Sequence, residues 1–228
     1  MIPLLVKFPT RSRPDRFRHA LELLVRHAVR PQDLHFLFTI DDDDPTKVEL
    51  LQIISGICIP NVIAWSRKSG NSTSKINAVN RDLPEFTLPW KSVIVASDDM
   101  HATPAWDAWV IEAMAKFYPD GDGCIWFGDG FQKDIATISI MGRAYYDGPA
   151  EGNIYDPRFK SVFADDYFTH KAYRLGKMTK IDHVLFRHDH PAWNSALKPD
   201  LLYQKNEAPE VWAHDEKVYR ELERTGFP

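Results

Sequence analysis

KSVIVASDDM, residues 91–100, decides the fold. Its apolar core, Val93 to Ala96, is a short uninterrupted run, as expected of a strand buried on both faces of a parallel sheet. Working outward, LLVKF at 4–8, LHFLFTI at 34–40 and NVIAW at 61–65 are strands of the same type. Helix-periodic segments separate them: one from about Pro14, with Phe17, Leu21, Leu24 and Ala28 on one face, then Thr46–Ile54 and Ser74–Asn80. This βαβα alternation predicts an α/β fold, a mostly parallel central sheet with helices on both faces. After a helix from about Pro104 to Phe117, the closely spaced runs CIWF at 124–127 and ATISIM at 136–141 predict a mixed or antiparallel second half. Ala164–Leu175 reads as a helix, IDHVLF at 181–186 as a strand and Val211–Arg224 as a polar terminal helix.

The chain has 228 residues, 44% hydrophobic and 12% aromatic, enough apolar material for a substantial core, and disorder is excluded. No repeat, low-complexity tract or Gly/Ser linker divides it, so one domain is expected. Twenty-eight Lys and Arg against 32 Asp and Glu leave a net charge of −4, which argues against nucleic acid or an anionic membrane as the main partner. Cys58 and Cys124 each sit in an apolar run, which disfavours a disulfide framework or a Cys-based zinc site and fits a cytoplasmic setting. No stretch reaches the roughly 18 to 20 apolar residues of a spanning helix, and a strand at Leu4 leaves no room for a signal peptide.

An open α/β sheet holds its ligand at the carboxyl ends of its strands. The first strand ends in PTRSRPD, with neither a dinucleotide-fold glycine turn nor a P-loop. Thr10, Arg11 and Arg13 offer a hydroxyl and two guanidiniums to a phosphorylated or carboxylated ligand. The second strand ends in Asp41, Asp42, Asp43 and Asp44, whose mutual repulsion calls for water, a cation or hydrogen-bond donors. The fourth ends in Asp98 and Asp99, a carboxylate pair suited to Mg²⁺ or Mn²⁺. SKINAVNRD places Lys75, Asn77 and Asn80 within two turns of a short helix, and Asp165 and Asp166 open a later one. His188 and His190 follow the strand VLF; in an extended segment they point to opposite faces, so only one is expected to reach the site.

Together, PTRSRPD, TIDDDD, SKINAVNRD, SDDM and FADDYF make the chain resemble nucleotide-sugar-dependent glycosyltransferases of the GT-A fold, especially the inverting family 2-like enzymes, over roughly Leu4 to His190. The resemblance implies a single Rossmann-like domain spanning 1–228: a nucleotide-binding half to about 100, an acceptor and catalytic half over about 101–195, and a helical tail at 196–228. It implies that Thr10, Arg11, Asp41 or Asp42, Lys75, and Asn77 or Asn80 hold the nucleotide of a donor, most simply a UDP-sugar, with Arg13 alongside. Asp98 then lies by the ribose, Asp99 binds Mn²⁺ or Mg²⁺ with His188 or His190 as a further metal ligand or as positive charge on the phosphate oxygens, and Asp166, or else Asp165, is the base. The motif SDDM departs from a literal DxD, and the acidic pair is Asp-Asp where many members carry Glu-Asp.

The acceptor is expected to be a glycan or another hydroxyl-bearing molecule; a modified nucleic-acid base is less favoured, although Arg11 to Arg18, or Arg67 and Lys68, offer local basic clusters. Trp90, Trp106, Trp109, Trp126 and Trp193 are candidates for sugar stacking, and WFGDG at 126–130 offers Trp126 and Asp129 as acceptor contacts. Two other readings remain: a two-metal phosphohydrolase or nuclease built on the same carboxylates with His188, and an inactive sugar-nucleotide-binding module.

Overall fold

A computed structural model describes residues 4–57, 64–65, 70–191 and 196–227. The amino-terminal half forms β1 (Leu4–Pro9), α1 (Pro14–Arg26), β2 (Leu34–Thr39), α2 (Lys47–Gly56), β3 (Ala64–Trp65), α3 (Lys75–Asn80) and β4 (Ser92–Val95). There follow β5 (Met100–Ala102), α4 (Trp106–Phe117), β6 (Cys124–Gly128), β7 (Ile140–Gly142), α5 (Arg143–Asp147), α6 (Ala164–Arg174), β8 (Met178–Val184), β9 (Phe186–His188), α7 (Leu201–Asn206) and α8 (Pro209–Arg224). Residues 61–63 of the expected third strand, with Cys58, Arg67, Lys68 and Trp193, lie outside the described residues.

The main sheet has seven strands in the order β3-β2-β1-β4-β7-β6-β8. β7 runs antiparallel to both β4 and β6, and the other neighbours pair in parallel, as the mixed second half predicts. The central strand β1 is buried along its length, with Leu4, Val6 and Phe8 in the core beneath α1, α2 and α4. Leu5 faces the second core, against α3, α5, α6 and α8. That two-sided burial is why its sequence is apolar on both faces, broken only by Lys7, rather than an alternation.

ATISIM is corrected in part: only Ile140 and Met141 pair within the strand, while Ala136 and Ile138 are buried without forming a ladder. The run at 181–186 is also two elements. β8 ends at Val184, and β9 leaves the main sheet to pair antiparallel with β5, Met100 opposite His188 and Ala102 opposite Phe186. This two-stranded ribbon fixes the chain after Asp99 against the chain at His188. Because β1, β2, β4 and β6 point the same way, the loops after them gather at one sheet edge. Among the described residues no helix is long and apolar enough to cross a membrane.

Candidate nucleotide and metal site

The loop after β1 folds back onto the loop after β2. Thr10 N donates to Thr39 O at 3.0 Å, and Ser12, in the left-handed region at φ 58°, donates its amide to Asp44 Oδ2 at 3.0 Å. Arg11 Nη1 lies 2.9 Å from Asp41 Oδ2 and also meets Asp43, which holds the Asp43 carboxyl below the ordinary carboxylate range. Asp41 Oδ1 receives Ser72 N at 2.7 Å, Ser72 Oγ at 2.6 Å and Arg81 Nη1 at 3.1 Å. Asp42 pairs with Lys47 and with the amide of Gly70, and Asp44 caps the turn through Thr46 N at 2.8 Å. Protein donors therefore share the charge of all four carboxylates. Arg81 was not singled out in the sequence, although it ends the SKINAVNRD segment.

Behind this loop stands Lys7, fully buried on the second-core face of β1. Its ammonium donates to Thr39 Oγ1, which donates onward to Asp82 Oδ2 at 2.6 Å. Burial pushes the Lys7 pKa down to about 7, against the opposing pull of Asp82.

At the end of β4, Asp98 is buried and receives Arg13 Nη1 at 3.0 Å; burial, only partly offset by Arg13, raises its pKa to about 6. The Arg13 guanidinium also forks onto Asp200, through Nε and Nη2 at 2.7 Å each. Asp200, a second residue the sequence did not single out, caps α7 through Tyr203 N at 2.8 Å. Its signal is an Asp just before the helical run LLYQKN.

Asp99 turns the other way, toward His188. Asp99 Oδ2 is 3.7 Å from His188 Nε2, and His188 Nδ1 is 3.2 Å from Asp129 Oδ2. Burial alone works against these charges, but the two carboxylates outweigh it and raise the His188 pKa to about 9. Burial likewise opposes ionisation of Asp99 and Asp129, yet His188 draws Asp99 below the usual range and, with backbone amides and Thr137, brings Asp129 to about 2. Asp99 Oδ1 and Thr10 Oγ1 are buried and have no hydrogen-bond partner among the described residues. Polar atoms left in that state are costly unless a ligand completes them. A carboxylate with an unpaired oxygen beside an imidazole is a donor set that fits Mn²⁺ or Mg²⁺. Among the described residues no three His, Cys, Asp or Glu side chains converge as a complete metal cage.

His188 and His190 correct the alternation argument. The chain turns just after β9, with His190 N donating to His188 O at 3.1 Å, and the two rings lie 5.0 Å apart on the same side. His190 also packs 5.2 Å from the Tyr203 ring, and burial lowers its pKa.

Asp165 and Asp166 occupy the first turn of α6, and Asp165 Oδ1 accepts the Asp166 amide at 3.1 Å. Burial raises both; Lys75 and His188 counteract it at Asp165, whereas the Asp165 charge adds to it at Asp166, which reaches about 6. Lys75 is exposed at the start of α3 and bears electrostatically on Asp99, Asp165 and His190. It thus faces the same site as the two carboxylate groups.

Three expected contacts, those of Asn80, Asp129 and Trp126, are corrected. Asn80 is buried and structural: Nδ2 donates to Tyr155 O at 2.7 Å, and Oδ1 accepts Ile154 N and Tyr155 N at 3.0 and 3.1 Å. Asn77 shares in capping α3, accepting Thr73 N at 3.1 Å while its own amide donates to Ser74 Oγ at 3.0 Å. Asp129 is fully buried; Oδ1 accepts Phe131 N and Gln132 N, and Oδ2 serves Thr137 and His188, so it holds His188 and presents no oxygen to an acceptor. Trp126 lies in the core with Lys180 Nζ 3.7 Å above its ring, and Trp90 and Trp106 are also buried. Trp109 is partly exposed, stacked on His183 at 4.2 Å.

No protein-family model and no curated sequence relative matches the chain. Solved structures do. Residues 1–349 of Staphylococcus aureus TarS superpose with a TM-score of 0.63 at 15% identity, covering 99% of this chain and 74% of that one. The complex of the same fragment with UDP-GlcNAc gives 0.58 at 14%, covering 99% and 74%. The mannosyltransferase PcManGT from Pyrobaculum calidifontis, in complex with GDP-Man and Mn²⁺, gives 0.65 at 12%, covering 99% and 76%. The chain therefore has the fold of the GT-A-type nucleotide-sugar glycosyltransferases.

Proposed function

We propose that the protein is an inverting glycosyltransferase that moves a sugar from a nucleoside-diphosphate sugar, a UDP-sugar first and a GDP-sugar second, to an acceptor hydroxyl. The observation that carries this reading is the partly exposed Asp99 carboxylate beside His188, at the sheet edge where the loops of β1, β2 and β4 meet. Solved proteins of this fold hold UDP-GlcNAc, or GDP-Man with Mn²⁺.

In this reading Thr10, Arg11 and Asp41, stiffened by Arg81, form the nucleoside end, and Asp98, steadied by Arg13, accepts a ribose hydroxyl. Asp99 and His188 hold a divalent cation, which when bound neutralises charge on the leaving diphosphate. Lys75 adds positive charge to the same oxygens. Asp166, raised to about 6 and without a cationic partner among the described residues, accepts the acceptor's proton. The acceptor oxygen bonds to the anomeric carbon from the face opposite the diphosphate, whose bond to that carbon breaks, so the centre inverts. The acceptor is a glycan or another hydroxyl-bearing molecule.

Incubation with UDP-GlcNAc or GDP-mannose and Mn²⁺, with water as the acceptor of last resort, tests the reading. Wild type should release the nucleoside diphosphate, and Asp166→Asn should bind the nucleotide yet release none. Unchanged turnover by Asp166→Asn removes it from the role of base.

A further inference from the structure

We infer that Asp215, on the carboxyl-terminal helix α8, is a positioning residue for Asp165 and Asp166, acting through the loop that leads into α6. This rests on the transfer reading above.

Asp215 is fully buried, and its carboxylate is wrapped by three consecutive amides from a segment more than fifty residues earlier. Lys160 N donates to Oδ1 at 2.9 Å and to Oδ2 at 3.1 Å, Ser161 N to Oδ2 at 2.8 Å and Val162 N to Oδ2 at 3.0 Å. Successive amides converging on one point make a concave nest suited to an anion, and here the protein supplies the anion itself. His214 Nδ1 lies 2.8 Å from Oδ1 and orients the carboxylate from its own helix.

The clamped loop touches both sides of the site. Lys160 O accepts the Ile76 amide at 3.1 Å, which fixes the start of α3 beside Lys75. Phe163, held in the left-handed region at φ 59°, turns the chain into α6, and Asp165 and Asp166 follow within three residues. A bulky residue keeps that conformation only where its surroundings impose it. Here they come from α8 again, because the Phe163 ring packs against Trp212 at 5.3 Å and Tyr219 at 5.5 Å. Tyr219 OH also meets His170 Nδ1 of α6 at 2.7 Å. One helix thus grips the loop by its amides, the turn by its ring and the catalytic helix by a side chain. Loosening the first grip lets the acidic pair drift while the nucleoside-binding loops stay in place.

A purely structural role is separated by a matched control. Asp107 is also fully buried and caps a turn, accepting Val29 N at 3.0 Å and Arg30 N at 2.7 Å, but it packs within the other core. Asp215→Asn, Asp107→Asn and Asp166→Asn are compared for Tm, for Kd of UDP and GDP with Mn²⁺, and for the rate of diphosphate release from UDP-GlcNAc and GDP-mannose. Asp215→Asn should lower kcat by about 10- to 100-fold, the scale expected of a misplaced catalytic group, with nucleotide Kd changed less than about twofold. Asp107→Asn should lose Tm and keep kcat. Should Asp215→Asn fail to fold, Asp215→Glu keeps the charge but displaces it by one methylene, and should still lower kcat. Equal kcat losses in the Asp215 and Asp107 variants, a full-rate Asp215→Glu, or a fall in kcat matched by a comparable rise in nucleotide Kd overturn the inference. Full turnover by Asp166→Asn, or a wild type that cleaves neither donor, defeats the transferase reading instead.

Discussion

His188 Nδ1 is hydrogen-bonded to Asp129 Oδ2 at 3.2 Å, which leaves Nε2 directed at Asp99. At neutral pH the bare His188 is protonated on both nitrogens; a cation at Nε2 would displace that proton, while Asp129 keeps the one on Nδ1.

Asp129→Asn tests this arrangement. The Asn oxygen can keep the amides of Phe131 and Gln132, while its NH₂ replaces the oxygen facing His188. The imidazole must then accept at Nδ1 and carry its proton on Nε2. Mn²⁺-dependent nucleotide binding should weaken by about 10- to 100-fold, as for other losses of a residue orienting a metal-bound His. Calorimetry checks this, and wild-type affinity would detach Asp129 from the site.

Asp166 gives the pH dependence. Its pKa stands at about 6 in the fold against 3.8 for the free side chain, so the folded state binds the proton more tightly than the unfolded one. That stability is fully present below about pH 3.8 and is lost as pH rises through 6. Asp166→Asn should therefore melt higher than wild type at pH 7 and at the same temperature below about pH 4. Wild-type transfer should fall about tenfold per pH unit below 6 as the base is protonated. A rate flat down to pH 5 contradicts the assignment.

Arg81→Met isolates the support of the nucleoside end. Arg81 Nη1 bonds Asp41 Oδ1 at 3.1 Å with both side chains 8% exposed, and Nε lies 3.6 Å from Asp82 Oδ1. Removing the cation leaves Asp41 with Arg11 and Ser72 and Asp82 with Thr39, a loss of about 1–3 kcal/mol in denaturant unfolding. A loss below about 1 kcal/mol would class the pair with exposed ion pairs.

The parallel half of the fold was legible because β1, β2 and β4 are buried on both faces and show it as mainly apolar runs, interrupted only by Lys7 and His35. The ribbon of β5 and β9 was not, since three-residue strands carry too little pattern, and with it went the antiparallel register that sets His188 opposite Met100. The helix at 143–147 is five residues long and was missed for the same reason. The site's acidic residues announced themselves as strand ends, but their partners did not. Asn80 meets Ile154 and Tyr155 across more than seventy residues, and Asp215 looks like one acid among many on a polar helix. Trp126 and Asp129 share a turn-like motif, yet packing turned both inward.

Donor binding in the proposed function depends on a cation held by Asp99 and His188. Calorimetric titration of UDP and of GDP into wild type and Asp99→Ala, each with and without Mn²⁺, measures it. Mn²⁺ should strengthen binding of at least one nucleotide by wild type and have no effect on Asp99→Ala. Binding equally strong with and without Mn²⁺, or a Mn²⁺ effect that survives in Asp99→Ala, would contradict it.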